Sequence, residues 1–314
     1  MSARLPRSRP KPVDCLEFTF PEDLASLSFL RSSHHMPAKY AFQFAFNGTP
    51  FCGWQKQSGV GPKANEKPSI EEMLTEAVAK VCGEKVTIVS SGRTDAGVHS
   101  CGQIAHFSLS SRHESDEHFI DALNHRLPET IQVLQIGRVP DSFRAQKAAR
   151  KQYSYYFQQG PANLPHLRNF TMWNRRTLDA AAMDEAVRHL IGRHDFVPFC
   201  GAGAKVNSTV RELTEACATQ ESIPLPGFSH FPAQSLIRVR LIGTGFLKHM
   251  VRSIAGTLKE IGEGRRSPED MRIILESGDR QAVGPTAPAR GLWLDQVWYD
   301  DGNPFADQPD KAPD

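Results

Sequence analysis

The sequence predicts an α+β fold, and three observations support that class. Short runs rich in aromatic or β-branched residues, such as residues 39–46, have the length and composition of strands. Longer segments, such as the one after Ser69, repeat apolar residues every three or four positions, as helices do. Both kinds of segment occur in each of two blocks of similar content, residues 37–140 and 141–300. We therefore expect two α+β domains.

The first block contains a helix with clear signals at both ends, flanked by strands. Ser69 and Glu72 have the spacing of a capping box, and Gly83 is a typical residue for the end of a helix. Small and polar residues at 91–102 separate two β-prone runs, so this loop is expected at an end of the sheet. The predicted elements are a strand at 39–46, a helix at 70–81, and strands at 86–90 and 103–109.

The second block contains a helix with one apolar and one basic face. Residues 246–261 place apolar side chains on one side and Lys248, Arg252 and Lys259 on the other. Ser267 and Pro268 form an N-cap and first-turn pair for a last helix that ends near residue 278. The other predicted elements are a helix at 178–190 and a strand at 236–242.

Both ends of the chain have the composition of polar tails. Residues 1–36 are rich in proline and arginine and are expected to be disordered, and residues 301–314 form a second polar tail. The N-terminal segment lacks the apolar core of a secretory signal, and no run approaches the ~18 consecutive apolar residues of a bilayer span. The sequence therefore predicts a cytoplasmic protein without a membrane segment.

Charge and cysteine content exclude further classes of protein. Against 35 Asp or Glu the chain has 37 Lys or Arg, a formal net charge of +2, so a nucleic-acid role would depend on local clusters of charge. The six cysteines form no CxxC pair and have no His-rich partner spacing, which argues against a zinc site and a disulfide framework. We expect neither a metal nor a cofactor.

A local cluster of positive charge lies between Arg138 and Arg176, where Asp141 is the single acidic residue. Such a stretch is a candidate phosphate track, and aromatic residues within it offer stacking surfaces for unpaired bases. The alternative is a solvated face beside an aromatic strand, and composition does not separate the two. The basic residues are Arg138, Arg144, Lys147, Arg150, Lys151, Arg168, Arg175 and Arg176, and the aromatic residues are Tyr153, Tyr155, Tyr156 and Phe157.

The most informative segment is the octet at residues 92–99, Gly-Arg-Thr-Asp-Ala-Gly-Val-His. It places Arg93 two residues from Asp95 in a loop whose small residues leave room for a ligand to approach the backbone. A nearby positive charge favours the ionised form of a carboxylate, which is the nucleophilic form. The alternative is an aspartate that caps its own turn, with Arg93 as a surface partner.

The octet resembles, residue for residue, the catalytic motif of the TruA family of tRNA pseudouridine synthases. A second segment, Phe-Leu-Lys-His-Met-Val-Arg at 246–252 followed by Ile-Ala-Gly-Thr at 254–257, resembles that family's second signature. Shorter matches occur in the same order, and the resemblance covers about residues 38–299. These matches are Gly53-Trp54-Gln55, Ser69-Ile70-Glu71, Gln103 with His106-Phe107, Asn124 with Leu127-Pro128, Tyr153-Ser154-Tyr155, Thr209-Val210-Arg211-Glu212, and Gly284-Pro285-Thr286-Ala287 with Gly291-Leu292.

The resemblance implies the pseudouridine synthase fold, with two pseudo-symmetric domains whose sheets join around a central cleft and helices on the outer faces. It also implies the isomerisation of uridine to pseudouridine, in which the base leaves the ribose at N1, turns, and is rejoined through C5. In the family, the aspartate that matches Asp95 is the nucleophile and attacks either C1′ of the sugar or C6 of the ring. The arginine that matches Arg252 pairs with that carboxylate. The tyrosine that matches Tyr153 stacks on the flipped base, and a part in removing the C5 proton is a second role open to it.

The resemblance further implies the partners of the protein. Family members act on consecutive uridines around the base of the anticodon stem of many tRNAs, and bacterial members are homodimers that hold one tRNA across both subunits. Two alternatives stay open: a non-catalytic protein that binds tRNA or another structured RNA, and a synthase that acts on a different RNA. The expected RNA-binding residues are Arg93, Tyr153, Arg144, Lys147, Arg150, Lys151, Lys248 and His249.

Overall fold

The computed structural model describes residues 37–55, 67–110, 116–204, 206–223 and 234–305. Within these ranges the chain forms ten strands and five α-helices, which confirms the α+β class. The strands are β1 (Ala38–Phe46), β2 (Val89–Ser90), β3 (His99–Leu109), β4 (Ile131–Val139), β5 (Arg150–Gln159), β6 (Met172–Asn174), β7 (Gly192–Asp195), β8 (Val210–Ile223), β9 (Gln234–Gly243) and β10 (Leu292–Trp298). The helices are α1 (Ile70–Cys82), α2 (Asp116–Arg126), α3 (Ala180–Arg188), α4 (Met250–Gly262) and α5 (Asp270–Ser277).

These strands form one mixed sheet, with a main path in the order β4-β1-β3-β10-β5-β9-β8-β7. Most neighbours are antiparallel, but β10 runs parallel to β3 and β6 runs parallel to β5. Strand β10 lies between β3 and β5, so it joins the strands of the first block to those of the second. The division into domains at residues 37–140 and 141–300 stays a prediction. The predicted tail at 1–36 lies outside the described residues, as do residues 306–314 of the predicted tail at 301–314.

Two hydrophobic clusters lie on opposite faces of this sheet. The first cluster contains Phe42 and Phe107 and includes side chains of α1 and α2, and the second contains Phe157 and includes side chains of α3, α4 and α5. Ile104 of β3 belongs to the second cluster, whereas its neighbour Ala105 belongs to the first. Because neighbouring residues of a strand point to opposite faces, the helices of the two blocks cover different sides of the sheet.

Burial in the second cluster overturns part of the expected stacking surface on β5. Tyr155 and Phe157 are completely buried, so neither can stack on an RNA base. Tyr156 points to the other face of the sheet, where the guanidinium carbon of Arg238 lies 5.8 Å from the centre of its ring. Tyr153 differs from the other three in that it lines a cavity together with Asp95. The alternation of a strand explains this outcome, because every second side chain of β5 enters the core.

The start of α4 also differs from the expected one. His249 has a left-handed backbone conformation, with φ of 60°, which cannot continue into a right-handed helix, so α4 begins at Met250 rather than at residue 246. Lys248 therefore precedes the helix. The expected apolar face is buried, whereas Arg252 and Lys259 of the other face are partly exposed and bonded, Arg252 to the Ala287 carbonyl and Lys259 to Glu263 at 2.6 Å.

Other boundaries agree with the sequence to within a few residues. Ser69 and Glu72 form the predicted capping box, and Gly83 ends α1 in the left-handed conformation. The strand expected at 86–90 is reduced to Val89–Ser90, whereas the one expected at 103–109 begins earlier, at His99. The last helix has Glu269 at its N-cap instead of Ser267. In the described part of the chain, no helix is long and apolar enough to cross a bilayer.

His99, the last residue of the octet, fixes three segments around the centre of the sheet. Its Nδ1 accepts from the Gly48 N–H at 3.1 Å, so Nε2 carries the proton and donates to the Asn169 carbonyl at 2.9 Å. The ring stacks on Trp293 of β10, with centroids 4.5 Å apart. Burial lowers the pKa of His99 from its ordinary value of 6.5 to about 4, so the imidazole is neutral at pH 7.

We expect this burial to make the stability of the protein depend on pH. Between pH 6.5 and 4 the unfolded state binds a proton that folded His99 does not, so the contribution is complete above about pH 6.5 and is lost as the pH falls towards 4. The loss should be about 3 kcal/mol. Denaturant unfolding across this range should give a shallower pH dependence for His99→Gln, whose amide can replace both hydrogen bonds without titrating. Equal slopes for the two proteins would contradict the assignment.

Candidate active site

The pairing of β3 brings the octet loop next to β5. One edge of β3 pairs with β1. The other edge of β3 pairs with β10 near His99 and with β2 near Ala105. The loop that leaves β2 at Ser91 therefore lies beside β10 and near the following strand, β5, which carries Tyr153. Residues from the first and second blocks thus surround one point.

Backbone contacts with Gly53 and Trp54 hold the loop in place. The Trp54 N–H donates to the Thr94 carbonyl at 3.0 Å, and Gly53 forms a β-bridge with Asp95. Gly53 has φ of +107°, and a Cβ there would lie 2.7 Å from the Thr94 carbonyl oxygen. The close approach therefore requires glycine. The Val98 N–H donates to the Asp95 carbonyl at 3.1 Å and closes the turn, so the backbone on both sides of the carboxylate is fixed.

The Asp95 carboxylate contacts two nitrogen groups near the start of α4. Arg252 Nη1 donates to Oδ2 at 3.1 Å, and His249 Nε2 lies 3.4 Å from the same oxygen. The other oxygen, Oδ1, accepts no hydrogen bond from the described residues. The side chain of Arg252 is 17 % exposed and that of Asp95 is 31 % exposed, so the pair is partly shielded from water. The predicted contact between the first and second blocks is present.

The orientation of Arg252 is fixed by residues 284–287, for which the sequence predicted no role. Its Nε donates to the Ala287 carbonyl at 2.8 Å, and the Ala287 N–H donates to the Arg252 carbonyl at 3.0 Å. Residues 284–287 can approach this closely because Gly256 has no side chain, and a Cβ there would lie 1.7 Å from the Pro285 carbonyl oxygen. The Gly-Pro-Thr-Ala match was a signal for this segment, but not for the contact.

His249 reaches Asp95 from a strained backbone. It has the positive φ noted above, which costs a residue other than glycine of the order of 1–2 kcal/mol. Gly201 makes room for the ring, because a Cβ there would lie 3.0 Å from His249 Cγ. Burial lowers the pKa of His249 and the charges of Arg252 and Lys248 add to this, whereas Asp95 opposes it. The ring is therefore a neutral hydrogen-bonding group at pH 7.

A cavity of about 910 Å³ opens above this carboxylate. Asp95, Arg93 and Thr94 line one side, and Tyr153 and Phe246 line another. The Tyr153 ring meets Phe246 edge to face, with centroids 4.8 Å apart. Burial raises the pKa of Tyr153, and the charge of Asp95 raises it further, so the phenol keeps its proton at neutral pH. The cavity thus combines a carboxylate with an aromatic surface, as a site for a polar, planar ligand requires.

The other expected RNA-binding residues lie at the cavity or on the surface near it, except Lys151, whose Nζ donates to the Ser91 carbonyl. Lys248 and His249 line the cavity, and Arg93 lies on its rim near Glu71, whose pKa is raised by burial in spite of the nearby Arg93 charge. The 3₁₀ turn Ala145–Lys147 contacts β2 and β3, so the exposed residues beside it flank the octet loop. These exposed residues are Arg144, Lys147 and Arg150, and the guanidinium carbon of Arg150 lies 5.6 Å from the centre of a ring of Trp298.

Comparison with known proteins finds similarity to tRNA pseudouridine synthases. The family model described as tRNA pseudouridine synthase matches residues 44–146 and 186–300, which include Asp95, His249 and Arg252 but not Tyr153. The tRNA pseudouridine synthase A of Shouchella clausii is 38 % identical over 263 residues, which span 83 % of this chain and 94 % of the relative. The protein of that name from Bdellovibrio bacteriovorus is 36 % identical over 267 residues, which span 84 % of this chain and 96 % of the relative. The one from Jannaschia sp. is 36 % identical over 271 residues, which span 86 % of this chain and 97 % of the relative.

The close approach at Gly53 predicts a large effect of a single methyl group. Gly53→Ala should lower the free energy of unfolding by about 2 kcal/mol or more, because the methyl group meets the Thr94 carbonyl and the backbone has a positive φ. Gly160→Ala is the matched control, since Gly160 has φ of +123° with nothing within 4 Å of its Cβ position. Denaturant unfolding should show a clearly smaller loss for the control. Equal losses would mean that the contact with Thr94 contributes nothing.

Proposed function

The chain belongs to the tRNA pseudouridine synthase family, and we propose from this premise that it isomerises uridine to pseudouridine in the anticodon stem-loop of tRNAs. The reaction class follows from the family. The observation that carries the proposal is the contact of Asp95 with Arg252 beneath a cavity of about 910 Å³. That volume lies within the range of roughly 300–1,000 Å³ that is usual for small-ligand sites, so one extruded nucleotide fits there.

We assign the nucleophilic atom to Oδ1 of Asp95. Arg252 and His249 both contact Oδ2, which leaves Oδ1 for the substrate. Attack at C1′ would break the bond from C1′ to N1 and release the uracil ring, whereas attack at C6 would add the carboxylate to the ring; both need an ionised carboxylate. The guanidinium of Arg252 donates to Oδ2 and so fixes the direction of the carboxylate.

Tyr153 supplies a face for the extruded base. Its ring lies against Phe246 at the cavity wall, so its position does not depend on RNA. Stacking of a base on an aromatic side chain is worth about 1–3 kcal/mol, comparable with the few kcal/mol that extrusion of a nucleotide costs. Because the phenol is protonated at neutral pH, we assign Tyr153 to stacking rather than to removal of the C5 proton as a base.

Surface charge near the cavity supports a structured RNA as substrate. Arg144, Lys147 and Arg150 are exposed and close in sequence, and Arg93 and Lys248 border the cavity itself. Contacts of this kind read the backbone and shape of RNA rather than its sequence. Uridines in a loop or at the end of a stem cost less to extrude than those inside a stem, which supports the anticodon stem-loop.

We also propose that the protein acts as a homodimer in the cytoplasm. Support for the dimer comes from the resemblance to bacterial family members, in which two subunits hold one tRNA. Support for the location comes from the tRNA substrate. Light scattering of the purified protein, alone and with tRNA, tests the dimer.

Removal of the carboxylate charge should abolish the reaction without abolishing binding. We expect Asp95→Asn to release no tritium from tRNA labelled at C5 of uridine, while its Kd for tRNA stays within about twofold of wild type, because the exposed cations are unchanged. Asp121→Asn, on the exposed side of α2, removes the same charge elsewhere and should keep both properties. An active Asp95→Asn enzyme would refute the proposal, and a wild-type protein that binds tRNA without tritium release would be an RNA-binding protein.

Affinity for tRNA should fall steeply with salt. Each phosphate that the protein neutralises contributes a slope of about −0.7 to −0.9 to the plot of log K against log salt concentration. We expect Lys147→Met to weaken binding and to reduce the slope by about one such unit, whereas Lys80→Met, an exposed lysine on α1, should leave the slope unchanged. Filter binding at several salt concentrations measures both effects. An affinity that does not depend on salt would contradict the basic surface.

A further inference from the structure

Lys151 was expected to contact RNA phosphate, but its side chain is only partly exposed and its amine is bonded within the protein. Its Nζ donates to the Ser91 carbonyl at 2.6 Å, and no carboxylate of the described residues lies within ion-pair distance of it. A Cβ on Gly92 would lie 2.9 Å from Nζ, so the amine fills the space that this glycine leaves. Burial lowers the pKa of Lys151 to about 8, so the ammonium group is charged at pH 7 and is a strong donor.

This hydrogen bond joins the strand of Tyr153 to the loop of Asp95. Lys151 and Tyr153 are two residues apart on β5, so both side chains lie on the same face of the sheet. Ser91 begins the loop that leads to Asp95, and its N–H donates to the Ile104 carbonyl on β3 at 2.7 Å. Lys151, which belongs to the second block, is therefore bonded to Ser91, the first residue of the loop in the first block.

Beyond the contacts of Asp95 with Arg252 and His249 and the bond from His99 to the Asn169 carbonyl, few bonds connect the two halves of the sheet near this point. The ladder between β10 and β3 has two residue pairs, Trp293 with His99 and Leu294 with Ser100. One side-chain bond supplements it, from Ser100 Oγ to the Leu294 carbonyl at 2.9 Å. Because the ladder is short, the bond from Lys151 to Ser91 is one of a small number that restrain the base of the loop relative to the second half.

The remaining side-chain bonds at the base of the loop come from the first block. Gln103 Nε2 donates to the Gly92 carbonyl at 2.8 Å, and Ser90 Oγ donates to the same oxygen at 3.1 Å. Ser91 Oγ donates to Gln103 Oε1 at 2.5 Å. These bonds fix the loop to its own half of the sheet. Of these donors to the loop, Lys151 is the one that relates it to the half that carries Tyr153.

We propose that Lys151 is a positioning residue for the isomerisation, which holds Ser91 against β5 and so sets the separation of the Asp95 carboxylate from the Tyr153 ring. The inference rests on the proposed function. A carboxylate displaced by about 1 Å can cost a factor of 10² in rate. The exposed cations do not depend on this hydrogen bond, so loss of the amine should slow the chemical step without weakening the binding of tRNA.

Lys151→Met tests the proposal, because methionine keeps most of the volume and removes the donor. We expect the rate of tritium release at saturating enzyme, in a single turnover, to fall about tenfold or more, with the Kd for tRNA within twofold of wild type. Lys80→Met is the matched control and should change neither quantity. A thermal unfolding curve for each protein shows that the comparison is made between folded enzymes.

Gly92→Ala disturbs the bond between Lys151 and Ser91 from the side of the loop. It tests the positioning role if Lys151→Met does not fold. Its methyl group would displace the flexible end of Lys151 rather than backbone, so the protein should fold and again lose rate but not affinity. A raised Kd with an unchanged saturated rate in Lys151→Met would make Lys151 a phosphate contact and overturn the proposal. Unchanged rates in the folded variants would overturn it too. A wild-type protein without tritium release would instead refute the proposed function.

Discussion

The contact between Asp95 and Arg252 is the interaction on which the geometry of the site depends. The two residues are 157 positions apart, and they meet because β10 lies between β3 and β5 and brings the loop after β2 towards α4. Each partner is held by backbone atoms, Asp95 through the bridge with Gly53 and Arg252 through the Ala287 carbonyl. The pair is therefore set by the fold rather than by the mutual attraction of two mobile side chains, and such preorganised charge needs no rearrangement during a reaction.

Close backbone approaches and one strained residue surround this pair. His249 has a positive φ, Gly53 and Gly256 allow approaches that a side chain would block, and a side chain at Gly201 would crowd the His249 ring. Such conformations cost of the order of 1–3 kcal/mol each where a side chain is present, so the surrounding packing must compensate for them. The second cluster does so, because the side chains of α4 that follow His249, from Met250 to Leu258, are almost all buried. A well-packed helix thus holds a strained residue next to a carboxylate.

Features determined by neighbouring residues in sequence were predictable, and features determined by the sheet were not. The capping box at Ser69 and the octet around Asp95 depend on local spacing, and both were identified. The burial of Tyr155 could not be predicted, because it depends on which face of β5 meets the helices. Lys151 has the same composition signal as Lys147, four residues earlier, yet the pairing of the strands buries one amine and exposes the other. The helix start at Met250 depended on one backbone angle at His249 that no periodicity reveals.

Four titratable groups at or near the site have pKa values that are shifted mainly by burial. The pKa values of His99 and His249 are lowered and that of Tyr153 is raised, all mainly by burial, so at neutral pH each of these groups is uncharged. Lys151, with its pKa lowered to about 8, keeps its charge, and its ammonium group donates a hydrogen bond to the Ser91 carbonyl. At neutral pH these groups, apart from Lys151, therefore contribute hydrogen bonds and packing rather than charge. The carboxylate of Asp95, whose Oδ2 is held by Arg252 and whose Oδ1 accepts no hydrogen bond from the described residues, is the group that we propose as the nucleophile.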